Sequence, residues 1–177
     1  VRTAFDATTL GVRRGAVELM PADPTWAEAY ERALPLLRGA LAGIAVAIEH
    51  IGSTAIPGLP AKPILDVAVG LPPGCDPAEV DEPLVALGFV YRGSDESRTT
   101  YGWESEPRVR VVNLHVVEHE GRTWREYVAF RDALRADPEA RDAYAVLKQD
   151  LAERFPADRA SYIAGKDAFV ARVLAGG

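Results

Sequence analysis

The chain has 177 residues, 48% hydrophobic and 26% charged, which is enough apolar surface for one core and too little polar bias for disorder. Its longest apolar stretch, Gly39 to Ile48, is ten residues, about half the ~20 that cross a bilayer. The 26 acidic against 20 basic residues give a net charge of −6, which argues against nucleic acid as a partner, and the single cysteine, Cys75, excludes an internal disulfide or a Cys-x-x-Cys zinc site.

The N-terminus, with Arg2, Asp6, Arg13 and Arg14 and no apolar signal core, reads as an extension over residues 1–16, and the expected location is the cytoplasm. Val17 to Leu19 reads as a short strand. Asp23-Pro24 then starts a helix whose Trp26, Tyr30, Ala33, Leu37 and Leu41 recur at helical spacing. Pro35 inside it is expected to kink it. Val46 to Ile51 is the first central strand and ends in Gly52-Ser53-Thr54; Ile64 to Leu71 is the second, β-branched, with Asp66 its only ionisable residue. Asp76-Pro77 caps a helix ending near Gly88, and Phe89 to Arg92, Arg98 to Glu104 and Arg108 to Glu118 read as strands. Three helices follow: Thr123 to Ala136, Pro138 to Arg154, and Asp158 to Leu174. The expectation is a single α/β domain over 17–177, with a sheet part over 17–121 and C-terminal helices over 122–175.

The stretch richest in chemistry runs from Glu49-His50-Ile51-Gly52-Ser53-Thr54 through Pro57-Gly58-Leu59 to Lys62-Pro63-Ile64-Leu65-Asp66. Gly52, Ser53 and Thr54 end a strand and open a short helix, whose backbone donors suit a phosphate. Asp66 arrives beside the same turn, and a carboxylate next to a phosphate calls for a cation between them, Mg²⁺ or Mn²⁺. Arginine outnumbers lysine seventeen to three, so Lys62, Lys148 and Lys166 stand out. Lys62 is either a charge partner for a phosphate or an exposed loop lysine. Lys148 and Lys166 each follow a tyrosine, Tyr144 and Tyr162, by four residues, which makes either a basic lip over a cleft or snorkelling side chains over aromatic surface.

These residues resemble the GrpB family, whose signature reads Glu-His-Ile-Gly-Ser-Thr, Pro-Gly-Leu and Lys-Pro-Ile, then an Asp in the strand. Further matching blocks are Asn113-Leu114-His115-Val116, Phe130-Arg131-Asp132 with Leu134-Arg135, and then Tyr144, Leu147-Lys148, Tyr162 and Lys166. The resemblance covers roughly Val17 to Val170. It implies a nucleotidyltransferase-like mixed sheet of polymerase-β type with flanking helices, and binding of a nucleoside triphosphate with Mg²⁺ at Asp66. Transfer of a nucleotidyl group to an unidentified acceptor would follow. Ile51-Gly52-Ser53 and Asp66, with twelve residues between Ser53 and Asp66, fit that superfamily's pattern. Its second carboxylate does not fit, because strand alternation places Ala68 on the Asp66 face.

The later strand that should carry a third acid offers Asn113 and His115 instead. Glu49, His50, Asp66 and His115 therefore form the expected catalytic cluster, with Asp66 the metal ligand and Gly52, Ser53, Thr54, Lys62, Lys148 and Lys166 the phosphate-binding set. Each has an ordinary structural alternative: His50 as a satisfied core histidine, Asp66 as an acceptor bracing the turn, Ser53 and Thr54 as caps. The incomplete acid set motivates a rival from another class, a non-catalytic regulatory module acting through a protein partner. The family's occurrence fused to the last enzyme of coenzyme A synthesis points the same way.

Overall fold

A computed structural model describes residues 1–176. Its centre is a six-stranded mixed sheet. The strands are β1 (Val12–Arg13), β2 (Ala47–Ile51), β3 (Leu65–Leu71), β4 (Val90–Ser94), β5 (Thr99–Glu106) and β6 (Val109–Glu118), and the helices are α1 (Thr25–Ala40), α2 (Asp81–Ala86), α3 (Arg122–Ala136), α4 (Pro138–Arg154), α5 (Arg159–Ala164) and α6 (Asp167–Ala175). The sheet order is β2-β3-β6-β5-β4, with β1 beside the start of β6. Only β3 and β6 pair in parallel; the other neighbours are antiparallel. The near-continuous apolar run of β3 follows from its central place, covered on both faces.

One face carries the main core. Tyr30, Leu34, Leu37 and Leu41 of the α1 segment and Leu84 of α2 pack against Val67, Val69, Leu114 and Val116. On the other face α3 sets Trp124 against Ile51, Ala68 and Val117. A third cluster joins Leu134, Tyr144 and Phe169 of α3, α4 and α6 to Ile56 and Leu59, in the loop between β2 and β3. That cluster brings the C-terminal helices over the β2–β3 turn.

Several elements differ from the expectation for identifiable reasons. Val17 to Leu19 is not a strand, because its bonds leave the sheet: Val17 N–H donates to the Pro156 carbonyl and Met20 N–H to Ala61. The first residues instead contribute β1, the buried Ala4 and the Phe5–Trp103 ring contact, so they pack as part of the sheet domain. Helix α1 runs through Pro35 undivided; Pro35 and Glu31, whose carbonyl loses its donor, are both exposed, on the solvent side where the lost bond costs least. The helix expected from Asp76 begins as a 3₁₀ turn, Pro77–Val80, before α2. Pro83 lacks the N–H that would have met the Glu79 carbonyl. The last expected helix is two, α5 and α6, parted at Gly165-Lys166, where a Cβ on Gly165 would stand 2.3 Å from Leu151 Cδ2.

Candidate functional site

The site grows from the end of β2. Register pairs Ile51 with Asp66 and His50 with Val67, so Asp66 shares a face with Ile51 and Glu49 and lies opposite His50. The next residue, Gly52, has φ 69° and ψ −171°, a conformation that glycine alone adopts without strain. Glycine is needed a second time for space, since a Cβ there would lie 2.6 Å from Asp66 Oδ2. Ser53–Ala55 then forms one 3₁₀ turn of three residues rather than a helix, so the expected helix N-terminus facing a phosphate is absent. Thr54 locks this turn: its hydroxyl lies 3.0 Å from His50 Nε2 and donates to the Ile64 carbonyl at 3.2 Å.

Parallel pairing of β3 with β6 sets Asp66 beside Asn113 and Ala68 beside His115. Asn113 Nδ2 donates to Asp66 Oδ1 at 2.9 Å. His115 Nε2 stands 3.6 Å from the same oxygen, beyond hydrogen-bond length, and its Nδ1 is buried with no partner. Burial alone would push the Asp66 carboxyl up, but His115, the Asn113 amide and Lys62 outweigh it and hold the group below the ordinary carboxylate value.

A cavity of about 70 Å³ opens in front of Asp66, lined by Ser53, Thr54, Lys62, Asn113, Lys148 and Lys166 among others. This is several times the ~10–15 Å³ that one water centre needs. All three lysines of the chain therefore line the one cavity that holds this carboxylate. The Lys62 and Lys166 ammoniums lie 5.3 and 4.8 Å from the centre of the Tyr162 ring, and Lys148 lies 5.0 Å from that of Tyr144. Lys148, 1% exposed, also donates to the Pro60 carbonyl. Among the described residues no carboxylate forms an ion pair with any of the three. Burial, reinforced by Arg159 and Lys166, pushes Lys62 down to about 8. Burial with Lys166 nearby pushes Lys148 down to about 7, and burial lowers Lys166 as well. The cavity is crowded with positive charge and short of anions.

The expected four-residue cluster is not brought together. His50 projects from the opposite face, where its ring stacks on Tyr30 at 4.7 Å and burial drives it down to about 4; it is a neutral core histidine. Glu49 shares the Asp66 face but accepts from Arg131 Nη1 at 2.7 Å, and Arg131 Nη1 also donates to the His50 carbonyl. That pair anchors α3 to β2. Asp66 and His115 do meet, and Ala68, on the Asp66 face, stands beside His115.

Sequence reasoning missed Arg98, Tyr127 and Arg110. Arg98 Nη1 donates to the Tyr127 hydroxyl at 2.6 Å, and the Tyr127 ring faces His115 at 5.7 Å. Arg110 Nη1 donates to Asn113 Oδ1 at 2.9 Å. Strict alternation would have turned Arg110 toward the core, whereas the register shift between β5 and β6 re-aims it.

A model of the GrpB protein family matches residues 16–175. The chain belongs to the GrpB family. It is 39% identical over 162 residues to a UPF0157 protein of Pseudomonas aeruginosa, covering 89% of this chain and 66% of that one. It is 34% identical over 170 residues to the glutamate-rich protein GrpB of Alkalihalophilus pseudofirmus, covering 93% and 98%. The crystal structure of GrpB from Enterococcus faecalis superposes with a TM-score of 0.80 at 27% identity, covering 90% of this chain and 96% of that one. A dephospho-CoA kinase of Mycolicibacterium paratuberculosis is 28% identical over 189 residues, of which the chain spans 46% of the length. Within this GrpB chain Ser53, Asp66, Asn113 and the three lysines line one cavity, with His115 beside Asp66.

Proposed function

We propose that this protein binds the phosphate groups of a nucleotide in the cavity beside Asp66. The observation that carries the reading is the convergence of Lys62, Lys148 and Lys166 on a polar cavity that holds a single carboxylate. Uncompensated ammoniums are costly to bury, and a polyanion supplies the missing charge. Ser53 and Asn113 offer polar contacts beside them.

Among the described residues no three His, Cys, Asp or Glu side chains gather to hold a metal. Asp66 alone fits one Mg²⁺ that takes its other ligands from phosphate and water, and a two-metal centre does not fit. Bound there, Mg²⁺ would offset phosphate charge. Asp66 would hold the ion, Asn113 would orient Asp66 through its amide, and the lysines would position the phosphates. Nucleotidyl transfer to an acceptor is the activity such a site would serve.

A second reading, a non-catalytic regulatory module, draws on Ala68 at the second acid position and on the match to part of a dephospho-CoA kinase. The test of the first is thermal unfolding with each nucleoside triphosphate, with and without Mg²⁺, for the native chain, Asp66→Asn and Lys166→Gln. A ligand at ~100 times its dissociation constant adds about 2.7 kcal/mol. A shift lost in Lys166→Gln, with its metal-dependent part lost in Asp66→Asn, supports nucleotide binding. No shift with any triphosphate leaves the module reading.

A further inference from the structure

We propose that Arg14, Arg92 and Arg110 form a second anion-binding site, separate from the lysine cavity and joined to it through Asn113, which takes a phosphoryl or carboxylate group. The three guanidiniums converge on one oxygen: Arg14 Nε, Arg92 Nη2 and Arg110 Nη2 lie 3.1, 3.1 and 3.4 Å from Glu104 Oε1. The other carboxylate oxygen is engaged by the Arg108 N–H at 3.1 Å. Among the described residues no second carboxylate pairs with any of the three. Three cations thus share one anion, and the side chains of Arg110 and Glu104 are only 12% and 19% exposed.

An excess of guanidinium charge in a half-buried setting is expensive without a further anion. The donor inventory agrees: Arg92 Nε and Arg110 Nε are buried with no acceptor. Arginine is suited to the ligand, since its fork matches the oxygens of phosphate and carboxylate.

The backbone is shaped to present these side chains. The register of β4 against β5 shifts between Tyr91 and Gly93, which leaves Arg92 as the extra residue. The register of β5 against β6 shifts again beside Glu104 and Arg110. Two bulges therefore turn two arginines toward one point, a known use of the irregularity. Gly102 completes the arrangement: Arg110 lies across it so closely that a Cβ would stand 2.4 Å from the guanidinium carbon. From there Arg110 Nη1 reaches Asn113 Oδ1, whose Nδ2 holds Asp66. A group held at the arginines sits on the same sheet face as one held at the lysines.

The test is titration of the full chain, nitrogen-labelled at arginine, with inorganic phosphate and separately with malonate, following the Arg92 and Arg110 Nε–H resonances and the affinity. Saturable movement of both resonances is expected, with affinity at least ~10-fold weaker in Arg92→Gln and in the more exposed Arg14→Gln, and kept in Lys166→Gln. Response to phosphate alone assigns a phosphoryl ligand, and response to malonate alone a carboxylate. No saturable movement with either anion, in samples that unfold like the native chain, overturns the proposal. So does binding that survives both arginine variants, or that Lys166→Gln abolishes, the last pointing to the lysine cavity instead. The nucleotide reading fails on a different result, the absence of any triphosphate-dependent thermal shift.

Discussion

Gly52 and Asp66 pack together across the β2–β3 turn, the glycine at positive φ and Asp66 Oδ2 only 2.6 Å from where a Cβ on it would stand. The turn and the acid are one unit, because neither can move without the other. Gly52→Ala adds both backbone strain and a clash, and is expected to destabilise the fold by about 1–3 kcal/mol. Urea unfolding should show a lower midpoint at unchanged slope; a midpoint equal to the native one would mean that the contact is slack.

His50 sets a pH dependence with a definite sign. Burial holds it at about 4 in the folded state against 6.5 in the unfolded chain. The unfolded state therefore binds the extra proton between those values, and stability falls as pH drops from 6.5 toward 4. The full loss is of order 3 kcal/mol. Asp66, lowered by its neighbours, adds a loss of the same sign at still lower pH. Replacing His50 with Gln should flatten the stability profile between pH 6.5 and 4 in denaturant titrations; an unchanged slope would exclude His50 as its source.

The lysines act at the other end of the scale. Lys62 and Lys148 fall to about 8 and about 7 from 10.5, so the unfolded chain holds more protons above neutrality and the ligand-free protein gains stability as pH rises toward 10.5. Lys148→Met, which removes a buried ammonium but keeps its stem, should reduce that gain without unfolding the protein. It should also abolish the stabilisation by nucleotide at pH 7. A variant equally unstable at every pH would instead make Lys148 a packing residue alone.

Much of the architecture was legible because local rules governed it. The near-continuous apolar run of Leu65–Leu71 matched a strand buried on both faces, and Asp23 and Asp158, at two of the expected helix starts, do accept N–H groups of the first turn. Ala68 on the Asp66 face, and Asn113 with His115 on one face of the later strand, followed from the period of two; that Asp66 meets both was set by the register of β3 against β6. The place of Arg110 was not legible in this way, since the irregularity of β6 against β5 beside it leaves no mark in composition.

What the sequence by itself determined was the α/β order of elements, the glycine turn ahead of Asp66 and the scarcity of lysine, all of which are properties of neighbouring residues. Only the tertiary structure decided which of those residues meet. Strand alternation alone sends His50 and Glu49 to opposite faces of β2, but packing chose their partners, Tyr30 for one and Arg131 for the other. Lys62, Lys148 and Lys166 are far apart in the chain yet share a cavity. The apolar contacts of Tyr144 and Phe169 with Ile56 and Leu59 carry α4 and α6 over the β2–β3 turn. Hydrophobic burial is non-directional, so the site is assembled by packing at a distance that no local pattern records.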